Sequence, residues 1–188
     1  GISKNPESFA SESYRAYFTD KARGAVIRLS MDGITPISEA GMSDWFYDNL
    51  KLNDTIIGSY DDNNAEYNIT LKNTVETTGG YECGVENTIL VAKTIVVAKT
   101  ISFQESVKGW VSFKSFVPEN AISCNNEYYT FLNGELYLHH DESVDRNTFY
   151  RDFAESKLSV VFNNMPGSVK SFRTLNYEGS QARVTQDL

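Results

Sequence analysis

The chain has 188 residues, enough for one domain, or one large piece of a domain, that buries its own core without disulfide staples. Hydrophobic residues make up 40%, with 11 Tyr and 11 Phe among them, a bias that suits pleated strands and argues against disorder over the whole length. The formal charge of −8 opposes phosphate backbones and anionic lipid, which disfavours bulk nucleic-acid or membrane-surface binding.

In chain order, Asn5-Pro6-Glu7 has the composition of a helix start, with Asn as cap, Pro at the first helical position and an acid near the positive end of the dipole. It predicts a short helix over 6–14. AYFTD, the charged corner Lys21-Ala22-Arg23-Gly24 and AVIRLS follow. IRLSMDGITPIS from Ile27 is the first of three hairpin patterns, in which alternating residues run into a turn, here Asp32-Gly33, that tolerates positive φ. Pro36 belongs on an edge or at a strand end. Over 38–50, Met42, Trp45, Phe46 and Leu50 recur at three- and four-residue spacing, which predicts a helix packed on the core with Ser38 or Ser43 as its cap.

The second hairpin, IIGSYDDNNAEYNITL from Ile56, turns at 61–64. The segment 72–88 is rich in Thr, Gly, Asn and Glu with no apolar period, and reads as an exposed loop or insertion. ILVAKTIVVAKTISF is strand-rich, is too short for a bilayer span and is interrupted by Lys93 and Lys99; its six-residue VAKT echo fits outward lysines on a strand. Pro118 stops the strand GWVSFKSF, and EYYTFLNGELYLHH from Glu127 forms the third hairpin around Asn133-Gly134. A polar loop HHDESVDRNTFYRDF, the strand KLSVVFNN, a Met165-Pro166-Gly167 turn and the strand SVKSFRTLNYEG complete the reading.

Candidate chemistry is sparse. His139-His140-Asp141-Glu142 is the densest group of potential metal ligands, but neighbours on a strand point to opposite faces, so a solvated hairpin end is the favoured reading. The Asp61-Asp62-Asn63-Asn64 run lacks the glycine and terminal Glu of a calcium loop and reads as a turn. Asp32 and Asp61 form the carboxylate pair to consider for glycoside cleavage, though turn chemistry already accounts for both. Cys83 and Cys124 lack CxxC spacing and are expected to be thiols. Asn53-Asp54-Thr55 and Asn68-Ile69-Thr70 match glycosylation sequons. No catalytic, cofactor-binding or metal-ligating residue is assigned, and the chain is expected to be neither an enzyme nor a cofactor carrier. No run of about 20 apolar residues is present, so a soluble polypeptide is expected; the start GISKNPESF has no signal-peptide pattern and no initiator Met, from which an excised fragment or a processed product is expected.

NPESFASESYRAYFTDKARGAVIRLSMDGITPISEAGMSDWFYDNL, IIGSYDDNNAEYNITL, GWVSFKSFVPENAIS, NNEYYTFLNGELYLHH and PGSVKSFRTLNYEGSQARV resemble segments of large virion structural proteins of tailed bacteriophages. The likeness is to tail or neck proteins of T-even-like marine cyanophages and of crAss-like phages. It implies a fragment of a larger tail protein whose meander blades assemble into a propeller-like or barrel-like ring, residing in virions assembled in the host cytoplasm.

Together these readings predict a mainly β chain of antiparallel meander and hairpin sheets with one or two short helices, spanning 1–188 as a single β-rich domain or fragment. The function expected is structural: contacts with other virion proteins and with copies of the same chain, and none with nucleic acid or membrane. The alternative is a phage or bacterial surface glycan-binding or adhesin module, in which Trp110, Tyr128, Tyr129 and Tyr137 would line one exposed groove. A degraded glycosidase is the third reading.

Overall fold

The structure is a computed structural model that describes residues 2–77, 93–159, 166–171, 173 and 174. Among the described residues it is mainly β, with every strand pair antiparallel and one α-helix. Contacts divide the chain into two units, 1–155 and 156–188.

In the first unit, β1 (Ala10–Glu12), β2 (Arg15–Asp20), β3 (Ala25–Ser30) and β4 (Gly33–Pro36) form an N-terminal sheet in sequence order. The helix expected over 6–14 is absent. A single 3-10 turn at Pro6–Ser8 gives way to β1, and the Asn5 side chain caps nothing. Pairing decides this: Ala10, Ser11 and Glu12 find partners on β2, and Ala10 is buried. The Lys21-Ala22-Arg23-Gly24 corner and the Asp32-Gly33 turn form as expected, with Gly24 and Gly33 at positive φ, and Pro36 ends the edge strand β4.

Helix α1 spans Ser43–Leu52 and is preceded by a 3-10 turn at Ile37–Glu39. It starts later than expected, and no serine caps it: Ser38 is buried in the 3-10 turn and Ser43 is already helical. Its apolar stripe does face the core. Phe46 and Leu50 are fully buried, and Met42 and Trp45 pack beside them.

The central sheet runs in the order β5 (Thr55–Asp61), β6 (Glu66–Thr77), β7 (Lys93–Gln104) and β8 (Gly109–Lys114). Residues 72–77, read above as part of a loop, belong to β6 and pair with 93–98 of β7. Thr74, Val75 and Thr77 are β-branched, and such residues fit a pleated ladder better than a loop. The rest of that segment, with Cys83, lies outside the described residues.

The two faces of the central sheet differ. Ile56, Tyr60, Tyr67, Ile69, Leu71, Ile101, Phe103 and Trp110 share one face by register. Tyr17 of β2 stacks on Tyr67 at 4.7 Å, and Phe46 of α1 meets Trp110 at 4.4 Å, so the N-terminal sheet and the helix cover this aromatic side. The opposite face carries Ser59, Asp61, Glu66, Asn68, Thr70, Thr100 and Ser102, all buried. An outer sheet, β9 (Asn120–Cys124), β10 (Glu127–Leu132) and β11 (Glu135–Leu138), covers it, with Tyr128 reaching across to Ser59 and Asn68. A two-residue hairpin, β12 (Thr148–Phe149) and β13 (Asp152–Phe153), interrupts the expected polar loop. Its turn residues Tyr150 and Arg151 both have positive φ.

In the second unit, residues 166–168 form a turn as expected, while 157–159, 169–171, 173 and 174 have no regular structure where strands were expected. The remainder of both expected strands lies outside the described residues.

Candidate functional site

The polar face of the central sheet and the outer sheet meet in a seam of buried hydroxyls and amides. Ser102 Oγ donates to Asn68 Oδ1, and Asn68 Nδ2 donates to Tyr128 Oη at 3.3 Å. Ser59 Oγ lies 2.7 Å from the same Oη, and the hydroxyls of Thr70 and Thr100 share a hydrogen bond of 2.8 Å. Burial pushes the Tyr128 phenol up to about 12, against the opposing pull of Ser59 and Asn68.

At one end of the seam the hairpin turn at 61–64 meets the end of β11. Asp61 Oδ1 accepts the backbone N–H groups of Asn63 and Asn64, an Asx turn, while Asp61 Oδ2 sits 2.8 Å from His140 Nε2. His140 has φ +63, so the chain bends there and His139 keeps to the inner face. The His139 ring packs on Phe116, Tyr128 and Phe149, with Nε2 2.8 Å from Thr130 Oγ1. Burial, reinforced by the neighbouring His140 and opposed by Asp61, pushes His139 down to about 4. The two histidines therefore diverge, and among the described residues no three His, Cys, Asp or Glu side chains gather around a common point.

Among the described residues of the unit, two clefts stand out. One, of about 1200 Å³, lies over 135–151 and includes Leu136, Leu138, Val144 and Phe149 in its walls. The other, of about 600 Å³, contains Arg15, Arg28, Asp32, Phe103, Glu105 and Lys108. Glu105 ties part of this charge internally, accepting from Arg28 Nη1 at 2.8 Å and from the Tyr17 hydroxyl at 2.9 Å. Burial and the Glu105 hydrogen bond raise the Tyr17 phenol. Asp32 borders this cleft on the aromatic side of the central sheet, whereas the Asp61 carboxylate is engaged in the polar seam. The structure does not bring the two carboxylates together.

Nor do the four aromatics meet. Trp110 packs on Phe46 and Phe103 and donates its indole N–H to the Ile37 carbonyl; Tyr128 is fully buried. Tyr129 pairs with Leu138 and Tyr137 with Thr130, which places these two tyrosines on opposite faces of the outer sheet. Asn68 is buried and hydrogen-bonded, and Asn53 spends its side-chain amide on the Asn49 carbonyl, so neither sequon presents a free asparagine. Cys124 is a free, exposed thiol. Among the described residues no helix is long and apolar enough to cross a membrane.

What the sheets do expose is apolar. On the outer face of the outer sheet Ile122, Tyr129 and Leu138 lie in register, followed by Phe131 opposite Leu136. Ile122, Phe131, Leu136 and Leu138 are 56%, 39%, 57% and 44% exposed. The N-terminal sheet likewise presents Leu29 opposite Ile34, both exposed, beside the half-buried Ile27. Two such rows on one unit exceed the scattered apolar residues of an ordinary surface. Sequence reading missed Thr130, Phe116 and Tyr150 as partners of His139; the alternation of Glu135, Tyr137 and His139 along β11 was the signal that could have placed the imidazole inward.

The unit is a layered antiparallel β module that exposes two apolar rows. Residues 144–187 match the family model described as the Crassvirus muzzle protein C-terminal domain. The match takes in β12 and β13 and most of the second unit, and supports a virion structural protein of a crAss-like phage. No curated protein matches the chain.

Proposed function

We propose that the chain is a non-enzymatic structural component of the phage virion, located in the tail or neck and working through protein–protein assembly. The crassvirus match over 144–187 carries this reading. The apolar rows on the N-terminal and outer sheets supply the contact surface: rigid strands hold Leu29, Ile34, Ile122, Phe131, Leu136 and Leu138 in fixed positions for burial against neighbouring virion proteins or further copies. Assembly takes place in the host cytoplasm, and the propeller-like or barrel-like ring implied by the sequence resemblance belongs to this proposal as well. The test is immunoelectron microscopy on purified particles with antibody raised against the chain. Label confined to the tail or neck supports the reading; particles lacking the polypeptide refute it.

The glycan-binding alternative required Trp110, Tyr128, Tyr129 and Tyr137 in one groove, and their placement inside the core and on opposite sheet faces weighs against it. Turnover on a glycan panel that Asp32→Asn or Asp61→Asn abolished would reverse the argument.

A further inference from the structure

The chain leaves β11 through a junction with an unusual amount of its packing concentrated on one imidazole. The His139 backbone N–H donates to the Tyr128 carbonyl at 2.8 Å, extending the β10–β11 ladder, and its ring lies against Phe116 at 4.7 Å and Phe149 at 5.8 Å. The β12–β13 hairpin is fastened through the same cluster. Phe149 packs on Phe116, the Tyr150 hydroxyl donates to Thr130 Oγ1 at 3.1 Å, and the Tyr150 ring meets Tyr137 at 4.8 Å. The remaining ionic tie, Arg151 to Glu135 at 3.6 Å, is largely exposed and weak.

The ring sits where a positive charge is costly. Thr130 Oγ1 hydrogen-bonds both His139 Nε2 and the Tyr150 hydroxyl, and a second ring proton would place a cation among Phe116, Tyr128 and Phe149.

We propose that His139 is an acid-sensitive latch, whose protonation releases the β12–β13 hairpin and the loop leading to it from the outer sheet while the central sheet stays folded. The titratable groups facing the ring are His140 on the same strand end, Asp61 from the β5–β6 turn, Tyr128 from β10 and Tyr150 from the β12–β13 turn; the 115–118 segment presents Phe116 and no titratable group. The low position of His139, about 4 when latched against an ordinary value of 6.5, sets the sign. The released ring takes up a proton more readily than the latched one, so the latch holds above pH 6.5 and loosens as the pH falls towards 4. Between pH 7 and pH 5 the opening equilibrium shifts by about 20-fold.

Hydrogen exchange by mass spectrometry on the full chain, corrected for intrinsic rates, tests this at pH 7 and pH 5. Opening within 139–155 should rise about 20-fold at pH 5 relative to β5 and β6, and His139→Gln, whose side-chain amide can hydrogen-bond Thr130 in either direction but does not titrate, should abolish the rise. His140→Gln should leave it in place. An unchanged response in His139→Gln, loss in His140→Gln alone, or simultaneous opening of all three sheets overturns the proposal. If His139→Gln fails to fold, a proton NMR titration of the native ring decides instead: a midpoint well below 6.5 supports the latch, and one at 6.5 or above refutes it.

Discussion

Replacing Tyr128 by Phe removes one oxygen from the centre of the seam and leaves the ring where it is. The phenol is fully buried, and its hydroxyl serves two groups that are themselves buried, Ser59 and Asn68. The oxygen accepts from Asn68 Nδ2 and shares a second hydrogen bond with Ser59 Oγ, in which either hydroxyl can donate. Deleting it strands the buried Asn68 donor and leaves the buried Ser59 hydroxyl without this partner. A net hydrogen bond is worth about 1 kcal/mol and an orphaned buried polar group about 1–3 kcal/mol, so Tyr128→Phe should cost about 2 kcal/mol. In a folding unit of this size that lowers Tm by about 4–8 °C. Thermal melts by circular dichroism, with urea midpoints alongside, measure it. The double variant with Ser59→Ala adds the decisive comparison: Ser59→Ala should cost less in the Phe background than alone, with a coupling on the order of 1 kcal/mol. Strict additivity, or a single-variant loss under about 0.5 kcal/mol, would mean that the seam is not a connected network.

Gly58→Ala should be the most damaging small substitution, at least about 3 kcal/mol and visible as lost soluble yield, because the added Cβ would sit 1.9 Å from the Ser8 carbonyl oxygen and 2.9 Å from the Tyr67 hydroxyl. Phe46→Ala empties the contact between α1 and Trp110 and should cost about 3–5 kcal/mol in urea denaturation, several times the effect of Tyr47→Ala on the exposed side of the same helix. Glu105→Gln leaves the largely buried Arg28 guanidinium without its counter-charge and should lower stability by about 2 kcal/mol, while Arg23→Gln, on a highly exposed side chain, should change it by under about 0.5 kcal/mol. In alkali, burial holds Tyr128 protonated up to about 12; the unfolded phenol ionises first, so this contribution is present below pH 10 and is lost between 10 and 12, and spectrophotometric phenol titration should register Tyr128 among the last tyrosines to ionise.

Turn chemistry was the most legible part of the sequence. Asp32-Gly33, the 61–64 run and Asn133-Gly134 each sit where a hairpin closes: Gly33, Asn133 and Gly134 take positive φ, while the Asp61 side chain accepts the Asn63 and Asn64 N–H groups of its own turn. The stripe of Met42, Trp45, Phe46 and Leu50 was equally readable, since one helical face had to be buried. The errors came where tertiary pairing outweighs local preference. Asn5-Pro6-Glu7 starts a helix that β2 then captures as a strand, and Tyr150-Arg151 makes a tight turn without the residues that advertise one. The seam was invisible for a different reason. Alternation reads Ser59, Asn68, Thr70 and Ser102 as the solvent side of a two-layer fold, and only a third layer makes that side an interior. His139 was misread with it, as a solvated hairpin end.

The two sides of the central sheet divide the work of specifying the structure. Stacked rings such as Tyr17 on Tyr67 gain most of their stabilisation from area, and area tolerates small displacements. The seam does not, because a one-residue slip of β5 against β6 would carry Ser59 and Asp61 to the aromatic face and leave Asn68 and Tyr128 unsatisfied inside. Polar interiors of this kind add less net stability than apolar ones of the same volume, yet they make wrong registers expensive. The proposed assembly role would gain from that rigidity, since it needs apolar rows held in fixed positions. Leu136, Leu138, Phe131 and Ile122 are held on the outer side of the same strands whose inner side is locked by Tyr128 and Thr130, so the register that satisfies the seam is also the one that sets the spacing of the exposed rows.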